Sequence, residues 1–408
     1  MNRAERRRRE KLGRSGPPDA ILQEAARHHR AGALAEAEAH YRTFLARAPG
    51  HPQALHLLGL VCHQTGRNAE AATLIAEAAR LQPDDAEIPY NLGNCLMLDG
   101  RPAEAADAFR RALELRPRRA EAINNLGTAL QRLDRLDEAI AAYQSALEID
   151  PGRTDALGNM GQALQALGRF AEAVFAYRQL LSRKPDHPTA RHMIAAMTGE
   201  TPGSAPDDFV RRLFDSYADR FDTHLVASLG YDPERCVRLL RETAGNETRF
   251  ASAIDLGCGT GLVGPLLRPF VDRLAGVDLS PAMLVKAQAR AVYDELSAGA
   301  IEPFLAETHE RFDLFVAADV FVYVGALDGV FAKAKACAKP KAWFAFSVED
   351  AEGGDFVLRT TGRYAHSLAY LDRIATAAGW QIGSTEALVI RTEQGRAIPG
   401  HAVVAQLA

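Results

Sequence analysis

Residues 254–264 of this 408-residue chain read IDLGCGTGLVG, placing an acid, Asp255, two positions ahead of three alternating glycines, Gly257, Gly259 and Gly261. Glycine lets a backbone turn tightly and approach a ligand closely, so the pattern describes a loop wrapped around a small molecule. The same stretch holds a literal G-x-G-x-x-G through Gly259, Gly261 and Gly264, the fingerprint of dinucleotide binding. Asp278 lies 19 residues past Gly259, near the spacing of a ribose-binding acid. Two features weigh against a dinucleotide. Asp255 and Gly257 intervene before the supposed first glycine, and Pro265 falls in the first turn of the following helix.

Three further groups carry polar or aromatic side chains at promising positions. Arg363, Tyr364 and His366 fall within four residues, in a loop between a fifth strand and a helix capped by Ser367. Asp319, with Phe321 and Tyr323, follows the fourth strand, at the carboxyl edge where open α/β sheets bind ligands. Tyr217, Phe221, Asp222 and His224 share one helical segment. A guanidinium at Arg363 suits an acidic or carbonyl group. An imidazole at His366, with an ordinary pKa of about 6.5, suits proton removal near neutrality.

Positioning these groups takes a layered scaffold. The apolar runs ASAIDLGCG, RLAGVDLS, DLFVAADVFVYV and AWFAFSV read as buried strands, and PAMLVKAQARAVYDEL, capped by Ser280, and SLAYLDRIATAAG read as helices. The alternation predicts a parallel, doubly wound sheet, and ALVIRTEQGRAIPGHAVVAQL predicts a closing antiparallel hairpin.

On the stretches IDLGCGTGL, GVDLSPAML and AADVFVYV, and on that hairpin, residues 208–408 resemble class I S-adenosylmethionine-dependent methyltransferases. FDSYADRFDTHL and GRYAHS narrow the resemblance to bacterial proteins in which repeats precede such a domain. The resemblance implies a Rossmann-like α/β domain whose loop Gly257–Gly261 wraps the methionine end of S-adenosyl-L-methionine. It implies that Asp255 holds the cationic amino group, that Asp278 and its neighbour Leu279 take the ribose, and that Tyr217 and Phe221 act as a lid. Asp319, Arg363, Tyr364 and His366 stand on the acceptor side, with His366 as general base and Asp319 also near the cofactor. Relatives carry an acid at the adenine amino group; here ELSAGAIEP puts Ala300 there, with Glu302 two residues on.

The first half repeats. Pro49, Pro83, Pro117, Pro151 and Pro185 recur every 34 residues, in phase with Gly59, Gly93, Gly127 and Gly161, with Ala37, Ala71, Ala105, Ala139 and Ala173, and with a large side chain at Tyr41, Ile75, Phe109, Tyr143 and Tyr177. These columns resemble tetratricopeptide repeats, an α solenoid of helix pairs with a concave groove. Small residues are expected where the helices of a unit cross, and the large residue between neighbouring units. Asn91, Asn125 and Asn159 share the period. In related superhelices such a ladder holds an extended peptide, since an amide both donates and accepts. The expected organisation is a basic tail (1–17), five repeats with a capping helix (18–195), a linker (196–207) and the methyltransferase domain (208–408).

Lysine plus arginine (48) nearly balances aspartate plus glutamate (52), for a net charge of −4, so nucleic acid is not an expected partner. Five cysteines without a C-x-x-C pair predict reduced thiols and no metal site. No apolar run approaches the roughly 18 residues of a membrane span, and a cytoplasmic protein is expected. The leading expectation is a methyltransferase whose repeats recruit a peptide, protein or carrier-borne acceptor. The alternatives are a small-molecule methyltransferase with repeats used for assembly, and a non-catalytic adaptor that binds the cofactor.

Overall fold

The computed structural model describes residues 18–408 apart from 220, 224, 226–229 and 394, and the chain divides into two units between Pro185 and Asp186. The basic tail and His224 lie outside the described residues. Among those described, the first unit is ten helices in five pairs: α1 (Pro18–Arg30) and α2 (Leu34–Leu45), α3 (Pro52–Gln64) and α4 (Asn68–Leu81), α5 (Glu87–Leu98) and α6 (Pro102–Leu115), α7 (Ala120–Arg132) and α8 (Leu136–Ile149), α9 (Thr154–Ala166) and α10 (Phe170–Arg183).

The repeat columns each have a contact. A Cβ placed on Gly59, Gly93, Gly127 or Gly161 would lie 2.4, 2.5, 2.6 or 2.7 Å from the side chain of Ile75, Phe109, Tyr143 or Tyr177 respectively. The large residue therefore fills the helix crossing inside its own repeat, not the gap between repeats as expected. A methyl added there overpacks a buried crossing, at a cost of about 1–3 kcal/mol. A further column joins the two helices of each pair: Gly32, Gly66, Gly100 and Gly168 have φ of 73–79°, and Asp134 takes the same place at 59°.

The second unit is built on β1 (Phe250–Leu256), β2 (Val271–Asp278), β3 (Glu295–Ala298), β4 (Phe312–Ala317) and β5 (Ala338–Asp350), in the parallel order β3-β2-β1-β4-β5. β9 (Arg396–Leu407) lies antiparallel against β5, with β8 (Trp380–Glu393) outside it. A short hairpin, β6 (Phe356–Leu358) and β7 (Tyr364–His366), pairs with the end of β5 at Glu349 and Asp350. Successive residues alternate between two cores: Ile254, Phe315, Phe344 and Phe346 enter one, and Ala253, Leu314, Val316 and Ala345 the other. Both faces are covered, as a doubly wound sheet requires.

Two expectations are corrected. The helix after Ser280 is shorter than its sequence suggests, and the strand run DLFVAADVFVYV ends before Asp319. In chain order the unit's helices are α11 (Pro188–Thr198), α12 (Asp207–Asp215), α13 (Glu234–Ala244), α14 (Gly264–Leu267), α15 (Pro281–Ala289), α16 (Ile301–Glu307), α17 (Asp328–Ala336) and α18 (Leu368–Ala377). α15 stops at Ala289 because Ala291 turns into the left-handed region, φ 55°. β4 ends at Ala317 because Asp319 does the same at φ 57°. α11, expected to cap the repeats, follows the division between the units and docks on the second one. There buried His192 donates from Nε2 to the Gly362 carbonyl at 2.8 Å and packs on Phe209. The expected linker is also docked: Gly203 accepts from the N–H groups of Gly325 and Ala326 (3.0 and 2.7 Å), and Ala205 N–H donates to Tyr323.

Candidate active site

A cavity of about 630 Å³ opens at the carboxyl ends of β1, β2 and β4. The glycine loop forms one wall because Gly257, Gly259 and Gly261 all hold left-handed backbone, with φ of 70°, 55° and 81°. At Gly257 a Cβ would also meet Val320 at 2.7 Å, so no other residue fits. Asp278, at the end of β2, accepts from the Gly259 N–H through Oδ2 and from the Ser280 N–H through Oδ1, both at 2.8 Å. Burial raises its carboxyl above the ordinary range, and these two N–H groups work in the opposite direction. Asp255, at 2 % exposure, accepts from the Tyr293 hydroxyl at 2.7 Å. Burial pushes its carboxyl up to about 7, against that hydrogen bond, and the charge of Asp278 adds to the rise. Asp255, Gly257, Gly259, Asp278 and Leu279 all line the cavity; Gly261 does not, its open face being turned to the Tyr293 ring.

The expected lid segment lies over this wall. Tyr217 and Phe221 line the cavity and pack edge to face, and Phe214 links Phe221 to Tyr323. Three acids fasten the segment. Asp215 accepts from the Ser280 hydroxyl at 2.6 Å, Asp219 pairs with Lys286 at 2.7 Å, and Asp222 pairs with Arg290 at 2.5 Å and accepts from the Thr260 hydroxyl. Spacings of four and three residues put these acids on one side of the segment, facing α15 and the glycine loop.

On the opposite wall Asp319 and Arg363 line the cavity, joined by Arg391. Arg391, 1 % exposed, donates to Asp319 Oδ1 at 2.6 Å, to Glu393 at 2.8 Å and to Glu349. Glu349 also accepts from Arg359, and Arg363 pairs with Glu393. The three carboxylates and three guanidiniums balance, as buried charges must. The left-handed Asp319 is held on a second side, its N–H donating to Ser347 Oγ at 2.8 Å.

His366 and Tyr364 are not at the cavity. They sit on β7, a strand rather than a loop, and both are fully buried. His366 Nε2 is within 2.9 Å of the carbonyls of Val324 and Gly325, and Nδ1 has no partner among the described residues. Burial pushes the imidazole down to about 4. The base assignment is therefore corrected: His366 holds the loop that carries Tyr323, and Tyr364 packs against Gly325.

Family models for tetratricopeptide repeats match residues 22–86, 84–152 and 132–197, and one for a methyltransferase domain matches residues 229–384. The chain joins tetratricopeptide repeats to a methyltransferase domain. It is 38 % identical over 85 residues to methyltransferase-like protein 27 of Homo sapiens, an alignment spanning 21 % of this chain and 35 % of that protein. The repeats are similar to the crystal structure of MamA (26 % identity, TM-score 0.39, 40 % of this chain and 94 % of that one). They are also similar to YrrB, described as a TPR protein with an unusual peptide-binding site (26 %, TM-score 0.40, 42 % and 89 %). No described helix is long and apolar enough to cross a membrane.

In the methyltransferase domain, Gly299–Pro303 line the cavity. Ala300 offers no charge, and Glu302 is ion-paired with Lys333. In the repeats the asparagines engage the preceding unit: Asn91 Nδ2 lies 2.9 Å from His56 Nε2, Asn125 donates to Asn94 at 2.9 Å, and Asn159 donates to Thr128 at 3.4 Å. Sequence reasoning missed Tyr293, Arg391 and Glu349. Tyr293 sits in a stretch that reads as helix. Arg391 in β8 and Glu349 in β5 are buried partners whose pairing depends on strands distant in the chain.

Proposed function

We propose that the chain is a class I S-adenosylmethionine-dependent methyltransferase whose repeats recruit a peptide, protein or carrier-borne acceptor. The carrying observation is Asp278: it occupies the Gly259 N–H that a pyrophosphate would need, while Asp255 lies beside the same loop. Two acids at a glycine loop repel a pyrophosphate and suit a ligand with cationic groups. The residues fit the cofactor, with Asp278 and Leu279 toward the ribose, Asp255 toward the amino group and Ala300–Ile301 toward the base. When bound, the cofactor supplies an electrophilic methyl group on a sulfonium.

The chain's own residues align and enclose. Tyr217, Phe221 and Phe214 exclude water from above. Asp319 Oδ2, which has no protein partner among the described residues, receives the proton of a hydroxyl or ammonium acceptor, and Arg391 fixes its direction through Oδ1. Arg363 orients the acceptor from the same wall. The repeats support recruitment: the carbonyl oxygens of Asn91 and Asn159 have no partner among the described residues and suit the N–H groups of an extended peptide. A cytoplasmic location accords with the five buried free thiols.

The test uses S-adenosylmethionine labelled on its methyl group, incubated with the chain and a cell extract from its source. Label entering protein or carrier, and lost when residues 1–185 are removed, supports the reading. Label confined to small molecules, with or without the repeats, contradicts recruitment.

A further inference from the structure

Tyr293 lies outside every helix and strand, yet it is fixed from both sides. On one side Arg290 Nε donates to the Thr260 carbonyl at 2.7 Å. On the other, Asp294 exchanges backbone and side-chain bonds with Leu274 at 2.8 and 2.7 Å, and its carboxylate accepts from Arg268 at 2.6 Å. Three glycines make room for the ring: a Cβ on Gly264, Gly261 or Gly276 would lie 2.7, 2.9 or 3.1 Å from it. The third glycine of the apparent dinucleotide fingerprint is thus a packing glycine for a tyrosine. The hydroxyl donates to Asp255 Oδ2, and the other Asp255 oxygen has no protein partner among the described residues.

We propose that Tyr293 is a positioning residue of the cofactor site: its ring spaces the glycine loop from β2, and its hydroxyl turns Asp255 so that the free oxygen faces the cavity. This rests on the S-adenosylmethionine reading above. The groups facing Asp255 are Tyr293, Asp278, Cys258 and Tyr231. Only the Tyr293 hydroxyl favours the carboxylate form, while burial and Asp278 oppose it. A cation-binding Asp255 is gained as pH rises through about 7, and removing the hydroxyl moves that gain to higher pH.

The experiment is calorimetric titration of S-adenosylmethionine into the full chain and its Tyr293→Phe variant at about pH 6.5, 7.5 and 8.5. The variant keeps the ring, so its melting temperature stays near that of the wild type. Its affinity falls about tenfold at the two lower values and recovers toward wild type at the highest. Gly264→Ala, whose methyl would lie 2.7 Å from the ring and 2.8 Å from the hydroxyl oxygen, displaces the hydroxyl from Asp255 and gives a loss of the same pH dependence. Equal affinities for wild type and Tyr293→Phe at all three values overturn the proposal, as does a loss independent of pH. A wild-type chain that binds no S-adenosylmethionine overturns the cofactor reading instead.

Discussion

Arg391 Nη1 lies 2.6 Å from Asp319 Oδ1, tying the terminal hairpin to the loop after β4 across 72 residues of sequence. Arg391 and Glu349 are almost fully buried, and each neutralises the other. Arg391→Leu leaves Asp319 without its cation and takes one of two cations from each of Glu349 and Glu393, and the second unit loses about 3–5 kcal/mol. Urea unfolding of the full chain, followed as separate transitions, checks this. Arg391→Lys recovers only part, because an ammonium cannot serve Asp319, Glu349 and Glu393 in a fixed fork.

His366 sets an acid limit. Its folded pKa of about 4 lies below the ordinary value of about 6.5, so its contribution is complete above the ordinary value and is lost as pH falls toward 4. His192, also lowered by burial, adds to the same limb. His366→Leu flattens that limb in melting experiments. It also costs about 1–3 kcal/mol by leaving the Val324 and Gly325 carbonyls unpaired, while affinity for S-adenosylmethionine is unchanged. A collapse of cofactor affinity in a folded His366→Leu chain contradicts this assignment.

Much of this was legible in the sequence. Period 34 predicted every repeat, because a glycine facing a large side chain is a contact made within one unit. Asp255, the three alternating glycines and Asp278 were legible because their spacing along two strands and a loop is local. The acceptor wall was not. Arg363 and His366 are three residues apart, yet one lines the cavity and the other is buried in packing, and only the pairing of β7 with β5 decides between them. Arg391 was hidden for the same reason: its partners arrive from β4 and β5, far away in the chain.

The segment proposed as a lid is held by ion pairs that are partly exposed. Asp222, with its links to Arg290 and Thr260, is the innermost. Asp222→Ala weakens S-adenosylmethionine binding by about two- to fivefold, chiefly by faster release, and raising salt reduces the difference from wild type. Stopped-flow displacement reads the release rate; an unchanged rate contradicts a lid at this position.

Truncation locates the functional start of the second unit. Residues 186–408 contain α11 and the docked Gly203–Ala205 segment, and Ser204, Ala205 and Asp207 line the cavity. A chain beginning at residue 186 melts cooperatively and binds S-adenosylmethionine as the full chain does. One beginning at residue 208 exposes the β6–β7 hairpin, melts lower and binds more weakly. Equal behaviour of the two contradicts a structural part for the segment.

Asp278 and the glycine loop are proposed to hold S-adenosylmethionine. Isothermal titration of the full chain tests this most directly, with S-adenosylmethionine and NAD in parallel and with Asp278→Ala as control. The expected result is saturable binding of S-adenosylmethionine, loss of that binding in a folded Asp278→Ala chain, and none for NAD. Binding of NAD alone, or S-adenosylmethionine binding that survives Asp278→Ala intact, contradicts it.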